Sequence, residues 1–461
     1  MMTPLRGVFS CFATLLLLSV GVVEAVSVNR FLGPVMEAGS GNFTTSSLGK
    51  RINRTSSVVA SGAQCQNGYS EPSTPLYIKG GHLEEESGLA SSRTQDILWI
   101  HNDNYDIKRI YGISLSGRNA GHVVYIMDLE DLPGINKYSD FEDLAVAMCP
   151  FQGDVEQEER EWCLWVGDVG NNAEWGKGTF LYVFPEPILS EAVHSEPIDT
   201  TVHVPKQATT FRLNYEDYEY FKGPNIEALT VADDGSKFWL FQKTLSKDGD
   251  GPAAVWESPS LLQRGSGSAD ICERDSNDTW YCSLGDRGDR ILVSHRYTGA
   301  ELQFAQMKPT LSVRSNPAPA TESLTLPLEV RKLGYLTNPL PSCETCGNKM
   351  ALKNIRNIAA ADLSRDGKSL LLATYGGVFV YNLQSPFDMS SILDGTPGAS
   401  SGKMVTTTNR DGTAMTGNGK FWSGQEGIAF DYSHPSSDQF GLGIWSVSEH
   451  HKKLYYLKCI T

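Results

Sequence analysis

"GQEGIAF", residues 424–430, sets a glutamate, Glu426, at the mouth of the apolar run Gly427-Ile-Ala-Phe430. Charged side chains are rarely buried without a partner, so a carboxylate in that place needs a reason. The stretch has relatives in the same chain. Glu86-Ser-Gly-Leu-Ala90, Glu142-Asp-Leu-Ala-Val146 and Glu227-Ala-Leu-Thr-Val231 repeat the pattern, and Ala359-Ala-Ala-Asp362-Leu-Ser364 is a weaker copy with its acid placed later. Each is followed by a second strand-like run: Ile97–His101, Cys163–Gly167, Phe238–Gln242, Leu370–Thr374 and Ile444–Ser448. A third run follows in turn: Val123–Met127, Phe180–Phe184, Ala254–Trp256, Val378–Tyr381 and Leu454–Leu457. Asp234-Gly235 and Asp366-Gly367 stand between first and second runs, where a tight hairpin turn needs positive φ.

Short apolar runs between turn signals, with no long stretch of helical period, predict an all-β fold. Repeated sheets of three or four antiparallel strands, each opening on an inner strand, predict a β-propeller. A two-domain sandwich is the rival, but it gives no reason for an acid at the start of each unit. The gap between Glu227 and Asp362 leaves room for a further unit, around Arg290–Ser294 or Glu322–Leu326. Six blades are favoured, with five and seven as the alternatives, and the ring is expected to close near the two ends of the folded region.

Residues 1–25 have a basic start, an apolar stretch from Val8 to Val23 and a small residue at the exit, Ala25, the pattern of a secretory signal peptide. Residues 26–62, rich in Ser, Asn, Gly and Thr, read as a flexible, glycosylated lead-in, and residues 63–461 as the propeller. Glycosylation sequons stand at Asn42, Asn53 and Asn277. Of nine cysteines, Cys11 falls in the signal peptide. The even remainder in a secreted chain reads as disulfides. The expected pairs are Cys149–Cys163, Cys272–Cys282 and Cys343–Cys346 as local loops, and Cys65–Cys459 as a tie between the ends. Cys343-Glu-Thr-Cys346 also has the spacing of a redox pair or half a zinc site. A net charge of −15 disfavours nucleic acid and anionic membranes as partners. A monomer is expected, secreted, with a small-molecule or carbohydrate ligand.

In a propeller the first strand of each blade lines the central channel. The carboxylates of Glu86, Glu142, Glu227 and Glu426 would then converge, with Asp362 nearby. Like charges in a narrow space need a cation, basic partners or protonation. Calcium, which takes six to eight oxygens at about 2.3–2.6 Å, is the natural candidate. The plainer alternatives are a solvated acidic pore, or acids that cap backbone N–H groups of neighbouring strands. The ends of the second strands add polar groups on the same side. Asp168 and Asn171 would join the metal ligands. His101 and Tyr375 are candidates for proton transfer, and Asn102, Asp103, Lys243 and Glu449 for substrate binding. No P-loop, HExxH or dinucleotide fingerprint occurs in the chain.

The motifs ESGLASS (86–92) with LWIHNDN (98–104), FEDLAV (141–146) with LWVGDVGNN (164–172), NIEALTV (225–231) and GQEGIAF with SVSE (446–449) resemble a family of secreted β-propeller proteins over about residues 80–457. More distantly, the architecture resembles the six-bladed calcium-dependent propellers of the gluconolactonase, paraoxonase and strictosidine-synthase group. That resemblance implies calcium in the central channel, held by Glu, Asn and Asp side chains, with Glu86, Asn171, Asn225 and Asp362 in such places. This chain carries an acid in nearly every repeat where that group uses more amides. Two functions are expected to compete. One is a metal-dependent hydrolase or lyase acting on a sugar acid, lactone or polysaccharide. The other is a non-catalytic glycan- or protein-binding propeller with a structural metal.

Overall fold

The computed structural model describes residues 65–460 except 66–67, 71, 104–107, 151–159, 172–177, 199–200, 206, 219–222, 244–251, 262–271, 275–279, 285–288, 294–321, 337–356, 375–376, 401, 406, 409–413, 416–424, 434–438 and 449–451. All belong to the unit spanning residues 58–461. The expected signal peptide, the lead-in, the three sequons, Cys343, Cys346, Tyr375 and Glu449 lie outside the described residues.

The described chain begins with β1 (Leu76–Tyr77), followed by the first blade, β2 (Glu86–Ser91), β3 (Ile97–Asn102), β4 (Arg109–Ser114) and β5 (Val123–Asp128). The second blade is β6 (Phe141–Met148), β7 (Trp162–Asp168), β8 (Thr179–Pro185) and, after the two-residue β9 (Val202–His203), β10 (Gln207–Tyr215). The third comprises β11 (Ile226–Val231), β12 (Phe238–Gln242) and β13 (Ala254–Glu257), then an excursion through β14 (Cys272–Arg274), β15 (Trp280–Leu284) and β16 (Asp289–Val293), and finally β17 (Glu322–Tyr335). The fourth is β18 (Ile358–Leu363), β19 (Ser369–Thr374), β20 (Gly377–Asn382) and β21 (Lys403–Met404). A small hairpin, β22 (Thr407–Thr408) and β23 (Ala414–Met415), precedes the fifth, β24 (Gln425–Phe430), β25 (Ile444–Ser448) and β26 (Lys453–Leu457).

The fold is all-β and propeller-like. Among the described residues the first strands β2, β6, β11, β18 and β24 each touch the next, and β24 touches β2 again. A separate apolar core fills the space between each successive pair of these five blades and between the fifth and the first. Among the described residues five blades are seen, one of the counts left open beside the favoured six. Of the segments expected to supply another blade, Arg290–Val293 belongs to the separate sheet β14–β15–β16, and Glu322–Leu326 opens β17, the outer strand of blade three.

Because each blade is covered on both faces, its strands are apolar on both. In β12, Phe238 and Leu240 face blade two while Trp239 and Phe241 face blade four. In β3, Ile97 and Trp99 face blade two while Leu98 and Ile100 face blade five. Strands β2, β3, β6, β11, β12 and β18 are buried along their whole length, so unbroken apolar runs replace the alternation of a half-exposed sheet. The two expected hairpin glycines, Gly235 and Gly367, have φ of 70° and 68°. Blades two and three are joined at their rims, where β10 and β17 pair in parallel and make one eight-stranded sheet.

The ring is closed by the chain ends. β1 pairs antiparallel with β26 and becomes the outer strand of blade five, and the expected disulfides Cys65–Cys459 and Cys149–Cys163 are both formed. The backbone register also sets Cys272 opposite Cys282.

Side chains on the inner strands tie each blade to the next. Ser87 Oγ donates to the Glu142 carbonyl at 2.8 Å. Asp143 Oδ2 accepts from the backbone N–H of Leu229 (2.9 Å) and of Ala361 (3.0 Å), and its Oδ1 from Leu144 (2.9 Å). Asp362 Oδ2 accepts from Phe430 N–H at 2.8 Å and Oδ1 from Leu363 N–H at 2.8 Å. Ser91 Oγ accepts from Tyr432 N–H at 3.1 Å. At the far ends of the inner strands a clasp draws on every blade. Arg93 Nε lies 3.3 Å from Asp233, with its guanidinium 3.8 Å over the Tyr432 ring. Arg365 Nε lies 3.4 Å from the other Asp233 oxygen, with its guanidinium 5.7 Å from the Trp162 ring.

Asp143→Ala leaves three buried N–H groups without an acceptor, each worth about 1–3 kcal/mol. Urea unfolding of the variant is expected to show a loss of about 3 kcal/mol or more. Asp143→Asn, which keeps one acceptor oxygen, should lose less.

Candidate metal centre

Every inner strand is bulged at the same level. The pairing with the second strand shifts between Ser87 and Leu89, Phe141 and Asp143, Ile226 and Ala228, Ile358 and Ala360, and Gln425 and Gly427. The residues skipped are Gly88, Glu142, Glu227, Ala359 and Glu426. A bulge leaves one residue out of the ladder and re-aims its side chain. Glu142, Glu227 and Glu426 are thus equivalent. Glu86 stands two residues earlier, level with Asp140 and Asn225, and Asp362 stands three residues later, down the strand. The expected single ring of acids is therefore divided among three levels. Asp362, expected as a metal ligand, gives both its oxygens to backbone N–H groups. The capping role set out as the plainer alternative is thus realised at Asp362 and Asp143.

At the mouth, ligand atoms of Asp103, Asp140 and Glu142 lie within 4.8 Å of one another, an arrangement that could hold a metal ion. Two blades and three segments position them. Asp103 follows β3, its N–H donating to the Glu85 carbonyl at 2.9 Å. Asp140 precedes β6, its N–H donating to Asp168 Oδ1 at 2.7 Å. Glu142 is the bulge residue of β6. Asp168, expected to ligate metal, fixes the Asp140 backbone through its Oδ1. Gly170 closes against the group, its N–H donating to the Asp140 carbonyl at 3.2 Å. A Cβ at position 170 would overlap Glu142 Oε1 and stand 2.5 Å from Asp140 Oδ2, so only glycine leaves the carboxylates their space. Glu142 is 3% exposed, and its Oε1 is buried without a hydrogen-bond partner, as is Asp103 Oδ1. A buried acceptor left unpaired is costly, and a bound cation would relieve both atoms.

Beside this group, Glu227 Oε1 accepts from Lys243 Nζ at 2.8 Å and Asn225 Nδ2 at 2.9 Å. Asn171 bridges blades two and three, its N–H donating to Asn225 Oδ1 at 2.6 Å and its Nδ2 to the Gly223 carbonyl at 2.8 Å. Burial raises Glu142 well above the ordinary carboxylate range, helped by Glu227, Asp103 and Asp140. Burial likewise raises Glu227 against the opposing pull of Lys243. Asp103 is pushed up to about 8 by burial, then by Asp140, Glu227 and Glu85.

The remaining expected residues lie apart in role. Asn102 bonds the loop before β2, its Oδ1 accepting from Glu84 N–H at 3.1 Å and its Nδ2 donating to the His82 carbonyl at 2.6 Å. His101 is fully buried, its Nδ1 donating to the Asn102 carbonyl at 2.9 Å and its ring edge-on to Phe141 at 5.7 Å. Burial lowers its pKa to about 4, so it is neutral at physiological pH. Glu86 and Glu426 are buried on the inner strands of blades one and five. Sequence reasoning missed Asp140, Asp143 and Gly170. The run Asp140-Phe-Glu-Asp143, three acids in four residues at a strand start, was the signal available.

The chain is thus a β-propeller-like fold with a buried acidic cluster, Asp103, Asp140 and Glu142, at one end of its inner strands. No protein-family profile matches the chain, and no curated protein does. Solved structures similar to it include hydrazine synthase of Kuenenia stuttgartiensis, with a TM-score of 0.31, 8% identity, and 81% of this chain and 83% of that one covered. Raptor of Chaetomium thermophilum has a TM-score of 0.31 and 11% identity, over 85% of this chain and 30% of that one. The chain thus spans less than a third of Raptor's length.

The acid group sets a pH dependence. Between the unfolded Asp103 value of 3.8 and the folded value of about 8, the folded state holds a proton that the unfolded state has released. Stability of the cation-free protein therefore falls as pH rises across that window, with the raised Glu142 and Glu227 acting in the same direction. Urea midpoints measured in chelator from pH 5 to 9 should show the decline, and Asp103→Asn should make it shallower.

Proposed function

We propose that this chain is a secreted β-propeller that binds a divalent cation, calcium, at the acidic mouth of its channel. The buried, unpartnered Glu142 Oε1 beside Asp103 and Asp140 carries this reading. The donors are all carboxylate oxygens, which suit calcium rather than softer ions. Three carboxylates cannot by themselves fill six to eight positions unless all are bidentate, so water or a ligand completes the shell. Two disulfides support an oxidising compartment. No helix among the described residues is long and apolar enough to cross a membrane.

In its catalytic form the reading is a hydrolase or lyase acting on a sugar acid, lactone or polysaccharide, the cation polarising a carbonyl or carboxylate oxygen when bound. The non-catalytic form is a glycan- or protein-binding propeller. One observation favours it: His101, the proton-transfer candidate among the described residues, is enclosed and bonded to the Asn102 carbonyl.

Calcium added to chelated protein is expected to raise Tm, and Glu142→Gln to weaken calcium binding by about tenfold or more, equivalent to ~1.4 kcal/mol. Gly170→Ala, which removes no ligand, should weaken it comparably. No calcium shift in the parent protein removes the proposal. A panel of lactones and uronides, assayed with and without calcium, separates the two forms.

A further inference from the structure

Lys243 follows β12 and stands with its Nζ 2.8 Å from Glu227 Oε1. Its side chain is 22% exposed while that of Glu227 is 4% exposed, so the ammonium reaches inward from the solvent side to a buried acid. Glu227 adjoins the three-carboxylate group: its partner Asn225 accepts from Asn171 N–H at 2.6 Å, and Asn171 follows Gly170, which closes against Glu142 Oε1 and Asp140 Oδ2. A lysine beside a cation site has two possible uses. It is a permanent counter-ion for Glu227, or it is a hand that the cation frees.

Charge decides between them. A divalent ion among Asp103, Asp140 and Glu142 attracts the Glu227 carboxylate and repels the Lys243 ammonium at short range, where screening by salt is weak. Glu227 keeps a second donor, Asn225 Nδ2 at 2.9 Å, and so is not orphaned when the lysine leaves. Lysine is a strongly hydrated point charge on a flexible four-carbon stem, able to turn toward the solvent side, where it is already partly exposed. A cation with coordination positions left over and an ammonium beside it form a two-point receptor for one group, a carboxylate. One oxygen ligates the metal and the other accepts from Nζ. A neutral sugar offers no charge to the second point.

We propose that Lys243 is a recognition residue for the carboxylate of the ligand, released from Glu227 when the cation binds, so that cation and carboxylate bind with positive coupling. This rests on the cation site proposed above and narrows its ligand to organic acids, with uronates as the sugar form. By linkage, each ligand must raise the affinity of the other by the same factor.

Titration calorimetry with calcium chloride and sodium D-glucuronate tests it, with methyl glucoside as the neutral control. In the parent protein, saturating calcium is expected to raise glucuronate affinity by about tenfold, within the usual range of such couplings, and to leave the glucoside unchanged. Lys243→Gln should bind calcium as tightly as the parent or more so, having lost a repelling charge, yet lose the calcium-dependent gain for glucuronate. Lys243→Arg should keep part of that gain. The inference is overturned if the parent binds calcium with no gain for glucuronate, if the glucoside gains equally, or if Lys243→Gln keeps the gain. A parent protein that binds no calcium overturns the cation site itself and this inference with it.

Discussion

The carboxylate of Asp143 receives backbone N–H groups from three inner strands, its own and those of blades three and four. Five strands packed around one axis leave little room between them, and each points part of its backbone polarity at the space within. Water would satisfy a wide channel. A narrow one must be satisfied by its own side chains, because an unpaired buried N–H costs as much as a lost hydrogen bond. Asp143, Asp362, Ser87 and Ser91 do this in turn around the ring. The spacing of the blades, and with it the position of every group at the mouth, follows from these short tethers.

Depth along the strand separates two uses of the same residue type. Asp143 and Asp362 lie below the bulge, where neighbouring strands present N–H groups, and there a carboxylate is a cross-link. Glu142 and Glu227 sit on the bulge, where the ladder is interrupted and the side chain is aimed toward the mouth. At that level Glu227 meets Lys243 and Asn225, while Glu142 meets other acids and the bare face of Gly170. The far end of the ring is occupied by the Arg93–Asp233–Arg365 clasp, so the electrostatic character of the two ends differs, cationic groups held among acids at one and acids gathered at the other.

Much of this was readable from the residues. The repeat, the β-propeller, the hairpin glycines and the pairs Cys65–Cys459 and Cys149–Cys163 follow from local pattern and from the arithmetic of an even cysteine set. The level of each acid was not readable. A bulge inserts a residue without marking the sequence, so Glu86 aligns by eye with Glu142 although it pairs two positions earlier. The number of blades was not readable either. The start of β17, Glu322-Ser-Leu-Thr-Leu326, carries the acid-then-apolar pattern of an inner strand, and its pairing with β13 and β10 makes it a rim strand. Asp140 was hidden because it belongs to the turn before its strand, and its companion Asp103 comes from another blade. Such a cluster exists only in three dimensions.

The way the ring is sealed has a consequence for how the molecule is made. The strand that completes the fifth blade is the first one described in the chain, and the disulfide beside it spans 394 residues. Closing so long a loop carries a large entropic cost before any contact compensates it, and folds dominated by such distant contacts form slowly. During synthesis, blades one to four can stack as they emerge from the ribosome, each against its predecessor. The first blade cannot pack on the fifth until β24 and β25 have emerged, and Cys65 cannot pair until Cys459 is available. Until then the first blade has a bare apolar face and the last has an unpaired edge, the surfaces on which wrong partners add. The thiol of Cys65 must stay reduced or exchangeable through that interval, so an oxidising compartment with a disulfide-exchange catalyst suits this topology on kinetic grounds as well as on chemical ones.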